Sequence, residues 1–87
     1  MPAKVVVYST DYCPYCLRAK ALLSGKGVAF TEIDVTEDEA KRQWLVKVTG
    51  LRTVPQIFIN DKAIGGFDDL ADLDARGALD TLLAESP

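Results

Sequence analysis

Eighty-seven residues, 48% of them hydrophobic and 26% charged, suit one small domain over residues 1–87 and exclude a repeat array or a long disordered chain. The net charge is −3 and histidine is absent. That removes the commonest general base, the commonest metal ligand and every Ser-His or Cys-His catalytic pair, and gives no electrostatic reason to expect nucleic acid.

No apolar run approaches the roughly 18 residues that a membrane span needs. Met1-Pro2-Ala3-Lys4 leads too soon into the polar Thr10-Asp11 for a secretory leader, so the expected compartment is the reducing cytoplasm. Residues 1–60 carry a net +2 and residues 61–87 a net −5, an imbalance that a solvated acidic face accounts for.

Lys4-Val5-Val6-Val7-Tyr8 reads as a strand buried on both faces. Asp11-Tyr12-Cys13-Pro14 then turns the chain into a helix. Proline suits the first helical position because its fixed φ matches and its missing N–H would be unpaired there anyway. Cys16, Ala19, Leu22 and Leu23 fall on one helical stripe, and Gly25 and Gly27 end it. Residues 28–34 read as a second strand. Thr36-Glu37-Asp38-Glu39 fits a capping box with Thr36 as the cap, opening a helix whose apolar stripe is Ala40, Trp44 and Val48 and whose stop is Gly50.

Val54 to Ile59 reads as a third strand. Asn60-Asp61 predicts a tight hairpin turn, and Lys62-Ala63-Ile64 an antiparallel fourth strand, ended by Gly65-Gly66. Asp68 is read as the cap of a short helix through about Arg76, and a last helix follows over residues 78–84. The order is β-α-β-α-β-β-α(α), an α/β chain. Its β-α-β start implies a right-handed parallel crossover and a mixed sheet with helices on both faces.

Both cysteines fall in Cys13-Pro14-Tyr15-Cys16. A structural disulfide closing so short a loop removes little unfolded-state entropy and would be reduced in a cytosol. Zinc needs four ligands, and this chain offers two cysteines and no histidine, so a metal would need a second subunit; an iron–sulfur cluster meets the same deficit. Dithiol redox chemistry fits the placement better. Cys13 precedes a helix, where unpaired N–H groups and the helix dipole favour an anion, and Pro14 leaves Tyr15 and Cys16 as the donors. Cys16, one turn in, should be more buried and less acidic. Cys13 is therefore read as the nucleophile and Cys16 as the resolving thiol.

Taken together, Cys13-Pro14-Tyr15-Cys16, Thr53-Val54-Pro55 and Gly65-Gly66-Phe67-Asp68-Asp69 resemble the glutaredoxin family, dithiol class, along the whole chain. The resemblance implies a thioredoxin fold with a four-stranded mixed sheet in the order 2-1-3-4. It also implies a glutathione-dependent thiol–disulfide oxidoreductase that reduces glutathione mixed disulfides through Cys13 alone and protein disulfides through Cys13 and Cys16. Glutathione is then the reductant, with no tightly bound cofactor and no metal. The partners implied are glutathione and glutathionylated or disulfide-containing proteins, with no nucleic acid and no membrane, acting on a monomer.

By the same resemblance the glutathione site is Tyr15, Arg42, Val54, Pro55, Phe67 and Asp68. Pro55 corresponds to a cis-proline that would turn the Val54 backbone outward to pair with an extended peptide. Phe67 and Asp68 meet the γ-glutamyl end, whose carboxylate suits a helix N-terminus and whose ammonium suits the Asp68 carboxylate. Tyr15 and Arg42 meet the glycyl end.

One departure is Thr10, where many family members carry a lysine. Lys4, at the far end of the first strand, cannot replace it, which weakens the expected hold on glutathione.

Two alternatives compete. A thioredoxin-like electron donor served by a flavoprotein reductase fits poorly with Asp68 and Arg42, which suit a charged tripeptide, and with the lack of Trp-Cys-Gly-Pro-Cys. A dimer holding a [2Fe-2S] cluster through Cys13 of each chain and two glutathiones fits poorly with the stiff Pro14.

Overall fold

The computed structural model describes residues 3–85. Met1 and Pro2, which begin the stretch read against a secretory leader, lie outside it, as do residues 86 and 87. The chain runs β1 (Val5–Ser9), α1 (Pro14–Gly25), β2 (Thr31–Asp34), α2 (Glu39–Thr49), β3 (Gln56–Ile59), β4 (Lys62–Gly65), α3 (Phe67–Ala75) and α4 (Ala78–Ala84). The strands form one sheet in the order β2-β1-β3-β4. β1 and β2 are parallel, joined across α1, whereas β3 is antiparallel to both β1 and β4. This is the element order read from the sequence and the sheet order implied by the family resemblance.

Two apolar clusters sandwich the sheet because alternate side chains of a strand face opposite ways. Val5, Val7, Ile57 and Ile59 face one side, where Ala19 and Leu23 of α1, Leu70 of α3 and Leu79 of α4 cover them. Burying each large aliphatic side chain there is worth about 1.5–3 kcal/mol. Tyr8, Phe58 and Ile33 face the other side, with Leu45 of α2 and with Val35, which directly follows β2. The β3–β4 turn is tight, with Asn60 at φ 51° and Asp61 at φ 67°. Two successive positive φ values match the right-handed twist of a two-residue hairpin.

Four local readings are corrected. Asp38, not Thr36, caps α2 by accepting from the Lys41 N–H at 3.0 Å. The Thr36 hydroxyl is engaged elsewhere: it donates to Asp34 Oδ1 at 2.6 Å and accepts from the Asp11 N–H at 2.8 Å.

The buried residue of α2 is Leu45, and Trp44 and Val48 are 40% and 48% exposed. Trp44 reaches the sheet sideways, its ring 5.8 Å from Tyr8 and 6.0 Å from Phe58.

α3 is capped by Gly66, so Asp68 sits in its first turn, and Asp69 accepts the Gly66 N–H at 3.0 Å.

The second and third strands are shorter than read, starting at Thr31 and Gln56, since 28–30 and 54–55 make no ladder pairs.

Candidate active site

Cys13 is the N-cap of α1, with extended backbone at φ −147°, and Pro14 follows at the first helical position. This geometry points the Cys13 sulfur at the open end of the helix, where it accepts the Cys16 N–H at 3.1 Å. Of the two donors expected from the sequence, Cys16 is the one engaged. Unsatisfied N–H groups and the helix dipole at this end favour a sulfur that carries negative charge.

Cys13 and Cys16 form a disulfide with their α-carbons 5.1 Å apart. Cys16 is 1% exposed and packed in the core-facing stripe with Ala19 and Leu23, whereas Cys13 is half-buried at the surface. An incoming thiolate therefore reaches Cys13, and Cys16 is sheltered behind it.

The loop before β3 closes over this sulfur. The Val54–Pro55 peptide bond is cis, and the Val54 carbonyl oxygen lies 3.7 Å from Cys13 Sγ. The Val54 N–H takes no hydrogen bond among the described residues. Pro55 in turn adjoins the start of α3, because a side-chain carbon at Gly66 would lie 3.5 Å from the Pro55 carbonyl. Phe67 and Asp68 open that helix beside it. Phe67 faces Tyr15 across the two segments, with ring centroids 6.3 Å apart.

Gly65 has φ 120°, and a Cβ there would run into the Asp69 carboxylate, so the approach to α3 depends on a missing side chain.

Arg42 of α2 lines a cavity of about 560 Å³ with Gln43, Arg52, Thr53, Val54 and Gln56. The fold thus joins Cys13 to Cys16 and to Val54, Tyr15 to Phe67, and Pro55 to the start of α3, where Asp68 lies in the first turn, while Arg42 and Val54 line one cavity. Lys4 is far from all of them, paired with Asp61 at 3.3 Å in the hairpin at the other end of β1.

Sequence reasoning missed Arg18, whose guanidinium carbon lies 5.3 Å from the centre of the Tyr15 ring. The i, i+3 spacing of the two residues on α1 was the available signal. It also missed Arg52, Thr53 and Gln56 on the cavity wall. Gln56 was visible as a polar residue in an otherwise apolar strand. Among the described residues no cluster of His, Cys, Asp and Glu is grouped as a metal site, and no helix is long and apolar enough to cross a membrane.

A sheltered and an accessible cysteine bridged at a helix N-terminus, beside a cis-proline loop, define a dithiol redox site on a thioredoxin fold. The glutaredoxin family model matches residues 5–64. Glutaredoxin 3 of Escherichia coli K12 is 57% identical over 81 residues, spanning 93% of this chain and 98% of that one. Among solved structures, the buckwheat glutaredoxin–glutathione complex superposes with a TM-score of 0.89 at 36% identity, over 93% of this chain and 76% of that one. The solution structure of glutaredoxin from Brucella melitensis gives 0.86 at 44% identity, over 95% and 90%. The chain belongs to the glutaredoxin family and is an oxidoreductase of the dithiol glutaredoxin type.

Proposed function

We propose that the chain, as one redox unit over residues 1–87, reduces glutathione mixed disulfides and protein disulfides with Cys13 as the attacking thiol. The observation that carries this reading is the position of Cys13 Sγ. It is the accessible sulfur, it accepts the Cys16 N–H at 3.1 Å, and it lies 3.7 Å from the Val54 carbonyl. An N–H donor aimed at the sulfur favours thiolate over thiol, and the thiolate is the nucleophile.

In the monothiol route the reduced Cys13 thiolate attacks the glutathione sulfur of a mixed disulfide. The protein substrate leaves as a thiolate and takes up a proton from water. A second glutathione thiolate then attacks the Cys13–glutathione bond, oxidised glutathione leaves, and Cys13 is a thiolate again. In the dithiol route the Cys13 thiolate attacks a substrate disulfide, forming a mixed disulfide with one substrate sulfur and releasing the other as a thiolate. Cys16, its proton lost to water, then attacks Cys13, forming the bridge seen here and expelling the second substrate thiolate. Two glutathiones in turn reduce the bridge and leave as oxidised glutathione. Each step is thiolate exchange, governed by the attacking and leaving thiols.

Glutathione fits the surroundings group by group. The free Val54 N–H and its carbonyl suit antiparallel pairing with the backbone of an extended tripeptide. The first turn of α3 offers N–H groups to the γ-glutamyl carboxylate, and the Asp68 carboxylate suits the neighbouring ammonium. Arg42, with Tyr15 nearer the sulfur, suits the glycyl carboxylate. The buckwheat relative, solved with glutathione, supports the same ligand for this chain.

We further propose a cytoplasmic monomer that uses glutathione as its reductant, with no tightly bound cofactor and glutathionylated or disulfide-bonded proteins as substrates. A coupled assay with glutathione, glutathione reductase and a glutathionylated peptide tests the reading. Turnover that depends on glutathione and on Cys13 is expected. A chain that reduces only when a flavoprotein thioredoxin reductase is supplied would overturn it.

A further inference from the structure

Gln56 has no part in the chemistry above, yet it is a fully buried polar side chain beside it. It opens β3 directly after Pro55, pairs with Tyr8 of β1, and is 2% exposed. Its Nε2 donates to the Leu51 carbonyl at 2.9 Å, so one side chain closes the loop that carries Thr53, Val54 and Pro55. Its Oε1 is buried with no hydrogen-bond partner among the described residues.

Leu51 is held from its other side as well. Its N–H donates to Thr49 Oγ1 at 3.0 Å, and that hydroxyl donates to the Leu45 carbonyl at 2.7 Å. The loop is therefore tied at one point both to the end of α2 and to the start of β3. A methionine of similar volume would fill the Gln56 slot without burying an unpaired carbonyl, so the amide is a poor choice for stability alone. What the amide secures is where the loop sits.

We infer that Gln56 is a positioning residue: by holding the Leu51 carbonyl it sets the loop so that the Val54 main-chain groups stand in register with the Cys13 sulfur. The inference rests on the glutathione reading above, because register at Val54 matters for a ligand that pairs with it.

The test is Gln56→Met, assayed for turnover of a glutathionylated peptide and for thermal midpoint. The rate at which iodoacetamide alkylates reduced Cys13 is measured alongside. The Michaelis constant for the peptide should rise about five- to tenfold, the worth of one such hydrogen bond. The turnover number and the alkylation rate should stay within about twofold, and the thermal midpoint should hold or rise, since the orphan carbonyl is gone. An unchanged Michaelis constant, with or without a lower midpoint, would overturn the inference. So would a parallel loss of turnover and alkylation rate, which would mean that Gln56 acts on the thiol itself.

Should the methionine variant fail to fold, Gln56→Asn keeps the amide but is one methylene too short to reach Leu51, and the same rise is expected. If the wild-type chain shows no glutathione-dependent turnover, the parent reading fails separately. The loop claim is then decided by hydrogen exchange at the Leu51 amide, which Thr49 Oγ1 holds in the wild type and which must speed up in Gln56→Met for the claim to stand.

Discussion

Cys13 Sγ and the Val54 carbonyl oxygen, 41 positions apart in sequence, lie 3.7 Å from each other. The contact joins a helix N-terminus to a loop, two segments with no local reason to meet. It exists because β1 and β3 are neighbours in the sheet, with Tyr8 opposite Gln56. The end of one strand launches α1, and the start of the other launches nothing but its own loop. A substrate disulfide presented to Cys13 thus meets, at the same place, a stretch of backbone able to pair with it.

The two cysteines should separate by route. Cys13→Ser should abolish all reduction, because Cys16 is sheltered at 1% exposure and no other thiol exists in the chain. Cys16→Ser should keep deglutathionylation, whose second step uses external glutathione, and lose most reduction of protein disulfides. Paired assays on a glutathionylated peptide and on an intramolecular protein disulfide check this. Equal loss of both activities in Cys16→Ser would rule out the monothiol route.

Asp68 is exposed in the first turn of α3, and the capping hydrogen bond there is made by Asp69. Asp68→Ala should therefore leave the fold intact while weakening glutathione handling. A charge-assisted bond at an exposed position is worth about 1 kcal/mol, so the apparent Michaelis constant for the mixed disulfide should rise about fivefold. Steady-state kinetics beside a thermal melt decide it: an unchanged Michaelis constant would leave Asp68 as a helix-dipole acid only.

Thr10→Lys should restore a cation just beyond the end of β1. An ammonium near Cys13 favours the thiolate, so the Cys13 pKa should fall, and attraction for the glycyl carboxylate should lower the Michaelis constant. Added salt should shrink both effects. The titration is best read from thiolate ultraviolet absorbance in a Cys16→Ser background, which avoids coupled ionisation. A Cys13 pKa that stays put or rises would show that position 10 does not face the sulfur.

Glu32, at the edge strand, accepts from Lys20 Nζ and from Ser9 Oγ, each at 2.7 Å. The Lys20 ammonium first and the Ser9 hydroxyl second hold its carboxyl below the usual value of 4.5. A carboxyl depressed in the folded state contributes stability that is complete above its unfolded pKa and is lost as pH falls through its folded one. Asp34 is depressed too, by the Thr36 hydroxyl and then the Thr36 N–H, so the wild-type acid limb carries both groups. Lys20→Met should lower stability by about 0.5 kcal/mol near neutrality, the scale of a partly exposed pair. The difference from wild type should narrow below about pH 4 as Glu32 takes up its proton. Urea midpoints across pH 3–7 measure this, and a gap that persists unchanged at pH 3 would assign the loss to packing of the lysine stem.

Gly65→Ala should destabilise the protein by about 1–3 kcal/mol, because φ 120° strains any residue with a Cβ. The added carbon also displaces the Asp69 carboxylate from the Gly66 N–H and so disturbs the start of α3. Chemical denaturation checks the magnitude, and a variant as stable as wild type would show that the turn can re-form with negative φ.

Much of this protein is set by contacts between residues close in sequence, and those parts were legible in the sequence. Pro14 after Cys13 dictates a helix start, Asn60-Asp61 dictates a hairpin with two positive φ values, Gly50 ends α2 in the left-handed region, and a three-residue cysteine spacing lets one sulfur bridge to the other. The family motifs carried the sheet order, which no local rule supplies, whereas the cis bond at Pro55 was settled by the structure. Where several residues of one type competed, local rules failed. Thr36 and Asp38 both suit an N-cap, and the outcome turned on Asp34 and Asp11 engaging the Thr36 hydroxyl. Helical periodicity allowed a stripe through Trp44, yet Leu45 is the residue that faces the sheet, because the register of α2 is set by what the sheet presents beneath it. The sheltering of Cys16 followed from its place one turn into α1 on the stripe shared with Ala19. The approach of Val54 to Cys13, the meeting of Tyr15 with Phe67 and the grip of Gln56 on Leu51 were decided only by tertiary structure, because they depend on how strands and helices stack. Burial and through-space distance are properties of that packing, and no residue carries them alone.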